Sequence, residues 1–458
     1  MAARDSIFEK TTPVPATAEE LFRWHLRRGA FARLVPTWRS VEVVGPGEVS
    51  EGSRVELRLA IGPFRVRWLA EHRRVEPGRG FEDVQVEGPF SLWEHRHEFL
   101  DEGGAALLRD RIRYRLPAGP LGALLGGGRV RRDLERTFGY RHRTTRDDLE
   151  LHRRYAGRPR LAVAISGAGG LVGSALSAML TTGGHRVLRL VRGGDGAPDE
   201  AAWDPGRGLL EPQKLEGIDA VVHLAGENIA GGRWTAARRE RIRRSRVEGT
   251  RALVASLAGL DRPPGVFLCA SAIGFYGHRP EETLDETGAP GDGFLAEVCR
   301  AWEEEARRAE GFGARVAAAR LGVVTSPAGG FLSKLLPAFL FGAGGVVGDG
   351  RQVVSWVSID DVAAAFLHLL MTPELEGPVN VTAPEPLTNR ELTRVLGRVL
   401  RRPTVAPLPA FVARGLFGRM ADETLLARSR VVPAKLEASG FVFRHRGFEE
   451  AVRHLLGR

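Results

Sequence analysis

The chain is poor in cysteine, lysine and tyrosine, and each shortage closes off a reading. Only Cys269 and Cys299 occur among 458 residues, too few for a disulfide framework and without metal-ligand spacing. That suits a reducing compartment, so a cytoplasmic location is expected. "MAARDSIFEK" carries early acids and no apolar h-region, so no secretory leader is expected. No apolar run reaches the length of a membrane span. The best, "FLSKLLPAFLFGAGGVVG", is broken by Lys334, Pro337 and glycines, and no membrane insertion is expected. Lysine stands only at 10, 214, 334 and 435, so the net charge of +10 rests on arginine. A surface that tracks phosphates accepts either cation. The densest basic run, "RRERIRRSR" (238–246), has helical spacing and no aromatic stacking partners. It reads as a solvated helix face, and no nucleic-acid partner is expected.

What is present describes a globular protein of two or three domains, with 43% apolar and 27% charged residues. Residues 1–155 read as an α+β domain. "SIFEKTTPV" predicts a strand, "ATAEELFRWHLR" and "GAFARLVPTW" two short helices, and the stretch to "AALLRDRIRYRLP" a series of alternating segments. Val55, Leu57 and Leu59 alternate with polar residues, the period of an antiparallel sheet with one wet face. "PAGPLGALLGGG" reads as a loose loop before a long amphipathic helix, "GRVRRDLERTFGYRHRTTRDDLELHRRY". This order, with the strand "FSLWEHRHEF", resembles the polyketide-cyclase and lipid-transfer (START-like, SRPBCC) superfamily. The resemblance implies a helix-grip fold, a curved sheet holding a helix over an apolar cavity, and an apolar ligand. His95 and His97 lie on one face of a strand. With no third ligand at motif spacing they read as ordinary strand residues, and no metal is expected.

"HRRYAGRPR" marks a boundary by its basic residues, Gly157 and Pro159. A second domain, 160–458, opens with "RLAVAISGAGGLVGSALSAMLTTGGHRVLRLVR": apolar strand, glycine turn, helix, second strand. Gly167, Gly170 and Gly173 recur at a spacing of three. In that context they point to a dinucleotide site, the pyrophosphate resting on the loop and the helix N-terminus. Where an acid would bind a ribose 2′-hydroxyl, the second strand ends in Arg192. An arginine pairs with a 2′-phosphate, which favours NADP over NAD. A solvated strand-end arginine is the competing account.

The segments "SGAGGLVGSAL", "HLAGENIAGGRWT", "SRVEGT", "SAIGFYG", "GDGRQVVSW" and "IDDVA" resemble the extended short-chain dehydrogenase/reductases. More narrowly they look like the NAD(P)-binding epimerase family proteins, some of which carry a cell-division-inhibitor label. Matches continue past residue 380, so the resemblance spans 160–458. It implies a Rossmann-type doubly wound parallel sheet with a small C-terminal substrate segment from about residue 380. It further implies that Gly167, Gly169, Gly170, Leu171, Val172 and Gly173 hold the cofactor. Leu224, Ala225, Gly226 and Glu227 would line it, and Arg246 would face it.

Extended members use a serine together with Tyr-x-x-x-Lys, the lysine lowering the tyrosine pKa. Ser271 fits the serine position and is expected to bind a substrate oxygen. Phe294 and Leu295 occupy the tyrosine region, and Val298 and Cys299 the lysine region. Tyr276, the sole tyrosine after residue 155, lies five residues beyond Ser271. It reads as a structural or pocket residue, with a role as proton donor the alternative. The expected activity is therefore an atypical NADP(H)-dependent oxidoreductase or epimerase acting on a small molecule. A non-catalytic NADP-binding regulatory or scaffold protein is the rival.

Overall fold

The computed structural model describes residues 5–45, 48–62, 64–193 and 197–458. The chain forms two compact units. One comprises Met1–Pro159 with Ala178–Gly184 and His454–Arg458; the other comprises Arg160–Ser177 and His185–Arg453.

In the first unit, seven strands make one antiparallel sheet in the order β1-β7-β6-β5-β4-β3-β2. They are β1 (Ser6–Val14), β2 (Val41–Val44), β3 (Arg54–Ile61), β4 (Phe64–Glu76), β5 (Gly80–Glu87), β6 (Leu92–Glu102) and β7 (Ala105–Arg115). Alternation sets the buried face. In β7, Ala106, Leu108, Asp110, Ile112 and Tyr114 are buried, and the residues between them are more exposed. Helix α1 (Ala18–Leu26) starts at Thr17, which accepts from Glu20 N while the Glu20 carboxylate accepts from Thr17 N, a reciprocal cap. Its Leu21, Phe22 and Trp24 join Phe81, Phe99 and Leu108 in a core. Helix α2 (Ala30–Leu34) follows. Helix α3 (Gly119–Arg154) lays Leu134 and Phe138 on Phe8, Ile112 and Tyr114.

Two sequence expectations need correction here. The stretch 117–128 is not a loop, because α3 already begins at Gly119. A proline is tolerated in a first turn, where its missing N–H has no helical partner, and Leu121, Leu124 and Leu125 carry the helix through the glycines. The sheet face also is not wholly apolar: His72, His95, His97 and Asp110 are buried on it, with His25 of α1 beside His97 and His142 of α3 on Asp110.

The second unit holds an eight-stranded sheet, β11-β10-β9-β8-β12-β13-β15-β19. Its strands are β8 (Ala162–Ser166), β9 (Arg186–Val191), β10 (Glu200–Asp204), β11 (Gly208–Leu209), β12 (Ala220–His223), β13 (Val266–Ala272), β15 (Arg315–Leu321) and β19 (Gly377–Val381). All neighbours run parallel except β11 on β10. Short ribbons lie outside it: β14 (Arg279–Leu284) with β21 (Ser429–Val431), β16 (Val323–Ser326) with β18 (Trp356–Ser358), and β17 (Val353–Val354) with β20 (Leu387–Thr388). Strand order reverses between β8 and β12, the point where doubly wound sheets open a crevice. Helices α4 (Leu171–Thr182), α5 (Ala236–Ala258) and α6 (Phe294–Arg307) follow β8, β12 and β13.

Candidate dinucleotide and substrate site

β8 ends at Ser166 and the chain turns through Gly167 at φ +71, a conformation glycine adopts freely. A Cβ at Gly167 would lie 3.0 Å from Ala225 N and from Leu224 C. Gly170 N donates to Gly167 O at 2.9 Å. A Cβ at Gly173 would lie 2.2 Å from Gly167 O, so the turn and α4 approach closely only because that position is bare. At Gly169 a Cβ would meet nothing within 4 Å, and the mouth of the loop is open. The first-turn amides of α4, including those of Leu171, Val172 and Gly173, have no carbonyl one turn back. Open loop and helix end together fit a pyrophosphate.

Ser166 fixes the opposite wall. Its hydroxyl accepts from Leu224 N at 3.1 Å and Ala225 N at 3.3 Å, and lies 2.6 Å from His223 Nδ1. One hydroxyl proton is left to donate, so Nδ1 is the acceptor and the imidazole is neutral. Burial and the nearby Arg246 push the His223 pKa down to about 3, in agreement.

Leu190 lies opposite Ser166 in the β8–β9 register. Arg192 therefore stands exposed at the same carboxyl edge of the sheet. Arg246 comes from α5. Its Nη1 donates to Glu227 O at 3.0 Å, and its guanidinium lies 5.1 Å from the Trp302 ring centroid. A Cβ at Gly226 would come 3.1 Å from Arg246 Cζ. The glycine loop, Leu224–Glu227 and Arg246 are thus brought together, with Arg192 at their rim.

Ser271 and Tyr276 meet in a different place. Ser271, Arg320 and Asn380 face one another across β13, β15 and β19. Ser271 Oγ donates to Glu303 Oε1 at 2.6 Å. Arg320 grips the same carboxylate with Nε and Nη2, both at 2.8 Å, and Nη1 donates to Tyr276 Oη at 2.9 Å. Tyr276 Oη reaches Asn380 Oδ1 and Asp285 O, each at 2.8 Å, and its single proton serves one of them. Phe275 stacks under the Arg320 guanidinium at 3.4 Å. Ser271 is 2% exposed and Tyr276 0%; burial pushes the phenol pKa up, against the charge of Arg320. The Ser271 proton is thus committed to Glu303 here, and neither side chain lies open to a substrate.

The positions of the usual tyrosine and lysine are apolar. Phe294 packs edge-on to Trp234 at 5.3 Å, and Val298 and Cys299 are buried. Burial raises the Cys299 thiol to about 11. Beside them a cleft of about 360 Å³ is lined by Gly274, Gly277, His278, Asp292, Asp422 and Glu423 among others. Glu423 Oε2 accepts Leu295 N at 2.9 Å, closing the start of α6. Gln352 is buried with Nε2 on Val347 O.

Sequence reasoning missed Glu303, Arg320 and Asn380. A signal was there: Arg320 ends an apolar strand, "ARVAAARL", and a charge in a buried run requires a partner.

Residues 163–382 match the NAD dependent epimerase/dehydratase family. An epimerase family protein of Mycobacterium bovis is 44% identical over 296 residues, 65% of this chain and 98% of that protein. The chain belongs to the epimerase family proteins. This member also carries a segment, 14–138, matching the polyketide cyclase / dehydrase and lipid transport family, and a domain of unknown function at 408–455. A nucleoside-diphosphate sugar epimerase from Corynebacterium glutamicum superposes with a TM-score of 0.81 at 33% identity, over 98% of this chain and 90% of that one. The human epimerase family protein SDR39U1, solved with NADPH, covers 64% of this chain and 98% of its own, with a TM-score of 0.60 at 30% identity. The Rossmann-type sheet is therefore a family feature, and the match to the Corynebacterium glutamicum structure extends over the N-terminal domain as well.

Proposed function

We propose that the epimerase-family unit binds NADP(H) and transfers hydride to or from a small carbonyl or nucleotide-sugar-like compound. The observation that carries this reading is the cradle of Gly167–Gly173 against Leu224 and Ala225, with Arg192 rather than an acid at the end of β9. A guanidinium there pairs with a 2′-phosphate. The human relative solved with NADPH and the neighbour named a nucleoside-diphosphate sugar epimerase support the choice of cofactor and substrate class. The nicotinamide, when bound, supplies or accepts the hydride. Leu224–Glu227 line its position and Arg246 holds that loop by the Glu227 carbonyl. Ser271 and Tyr276 act as positioning residues, through Glu303 and Arg320. Proton transfer falls to a group in the cleft, whose walls include His278, Asp292, Asp422 and Glu423.

One observation favours a second reading, a nucleotide-binding protein without turnover: Phe294 and Leu295 stand in the tyrosine region, and Val298 and Cys299 in the lysine region. Following nicotinamide absorbance against a panel of aldehydes, ketones and nucleotide sugars separates the two. Substrate-dependent NADPH consumption supports the reductase. Its absence across the panel, with NADPH bound, favours the second reading.

A further inference from the structure

The helix-grip unit gathers an unusual set of side chains. Asp83 on β5 pairs directly across from His95 on β6, and across from His72 on β4. Asp110 on β7 pairs across from His97 on β6. The sheet register, which spacing along the chain does not reveal, supplies the third ligand that the His95/His97 pair lacks in sequence.

We propose that Asp83, His95 and His97 form a binding site for one divalent transition-metal ion of the zinc type. One ligand atom from each lies within 4.8 Å of the others. Asp83 Oδ2 is shared: His97 Nε2 lies 3.2 Å from it and His95 Nδ1 3.7 Å. Metal bonds of about 2.0–2.1 Å place tetrahedral donor atoms about 3.3 Å apart, so little movement would admit an ion. The outer contacts have the pattern that metal-binding imidazoles use, in which the far nitrogen rests on a carboxylate. His95 Nε2 meets Asp110 Oδ1 at 2.8 Å, and His97 Nδ1 lies 2.7 Å from the same oxygen, though off the line of a good hydrogen bond. Asp110 Oδ2 is held in turn by His142 Nε2 at 2.7 Å, and His142 Nδ1 by Thr12 Oγ1 at 2.8 Å. Asp83 Oδ1 is held by His72 Nε2 at 3.0 Å, and His72 Nδ1 by Ser53 Oγ at 3.0 Å.

Asp83 and Asp110 bring two carboxylates against the three strand histidines. Two nitrogens and a carboxylate suit zinc, cobalt or iron(II) over magnesium or calcium. Three protein ligands leave a fourth position for water or an incoming group. A cleft of about 430 Å³ has Gly80, Phe81 and His97 among its walls.

The test uses the full chain, stripped with chelator and titrated with Zn²⁺ and with Co²⁺. One ion per chain is expected, with the strong visible bands of low-coordinate cobalt, and an excess of Mg²⁺ should not displace it. Asp83→Asn and His97→Gln should each weaken binding by about 100-fold or more, and Asp110→Asn by about 10–100-fold. Failure of the unaltered chain to take up a stoichiometric ion overturns the proposal. So does an Asp83→Asn/His97→Gln double variant that binds with the same affinity and spectrum. Where a variant does not fold, the cobalt spectrum of the unaltered chain decides: bands support the site and their absence overturns it.

Discussion

Arg320 shows what a buried charge demands. It is 3% exposed and satisfied by a two-point grip on Glu303, by the Tyr276 phenol and by the face of Phe275. Glu303→Gln leaves the guanidinium without its counter-charge. It should cost about 3–5 kcal/mol, the range for breaking a buried pair from one side, measured by urea denaturation. Tyr276→Phe removes a hydroxyl that links Arg320 to Asn380 and should cost about 1–3 kcal/mol. NADPH affinity should not change. If Tyr276 is not the proton donor, turnover in this variant should fall by less than the ~10²–10⁴-fold that general acid catalysis supplies. A larger loss with intact NADPH binding would make the phenol the acid. Reading the sequence singled out Tyr276 by its isolation and Ser271 by its position. It did not reveal that a carboxylate and a guanidinium lie between them, because Glu303 and Arg320 meet only when a helix packs on a sheet.

Among the elements, β8, its glycine turn and α4 were legible in full, since turn, helix start and packing are all local demands on one continuous stretch. Gly173→Ala tests that reading. The added Cβ meets a backbone oxygen rather than a flexible side chain, so α4 must move away from the turn. Nucleotide binding should fall by at least about tenfold, a cost of roughly 1.4 kcal/mol or more, as measured by calorimetric titration. An unchanged affinity would show that the close approach is not needed. Two features escaped the sequence. Glycine and proline content made 117–128 look like a loop, while its leucines continue α3. The Asp83–His95 pairing depends on strand register, and the spacing between two strands does not fix their alignment.

Across the whole molecule, the residues assigned to the nucleotide, from Gly167 to Gly173, Arg192, Leu224 to Glu227 and Arg246, all belong to the second compact unit. A fragment beginning at Arg160 should therefore bind NADP(H) with the affinity of the full chain, checked by the same titration. Loss of binding would mean that the nucleotide site depends on the N-terminal unit. Among the described residues, no helix is long and apolar enough to cross a membrane. The decisive comparison is NADPH against NADH, titrated on the full chain and on Arg192→Asp by quenching of tryptophan fluorescence. One charge-assisted phosphate contact is worth roughly 1.5–3 kcal/mol, so NADPH should bind about one to two decades more tightly than NADH. The aspartate variant should narrow or reverse that preference. Equal affinities for the two nucleotides in the unaltered chain would contradict the role given to Arg192 and the NADP(H) reading with it.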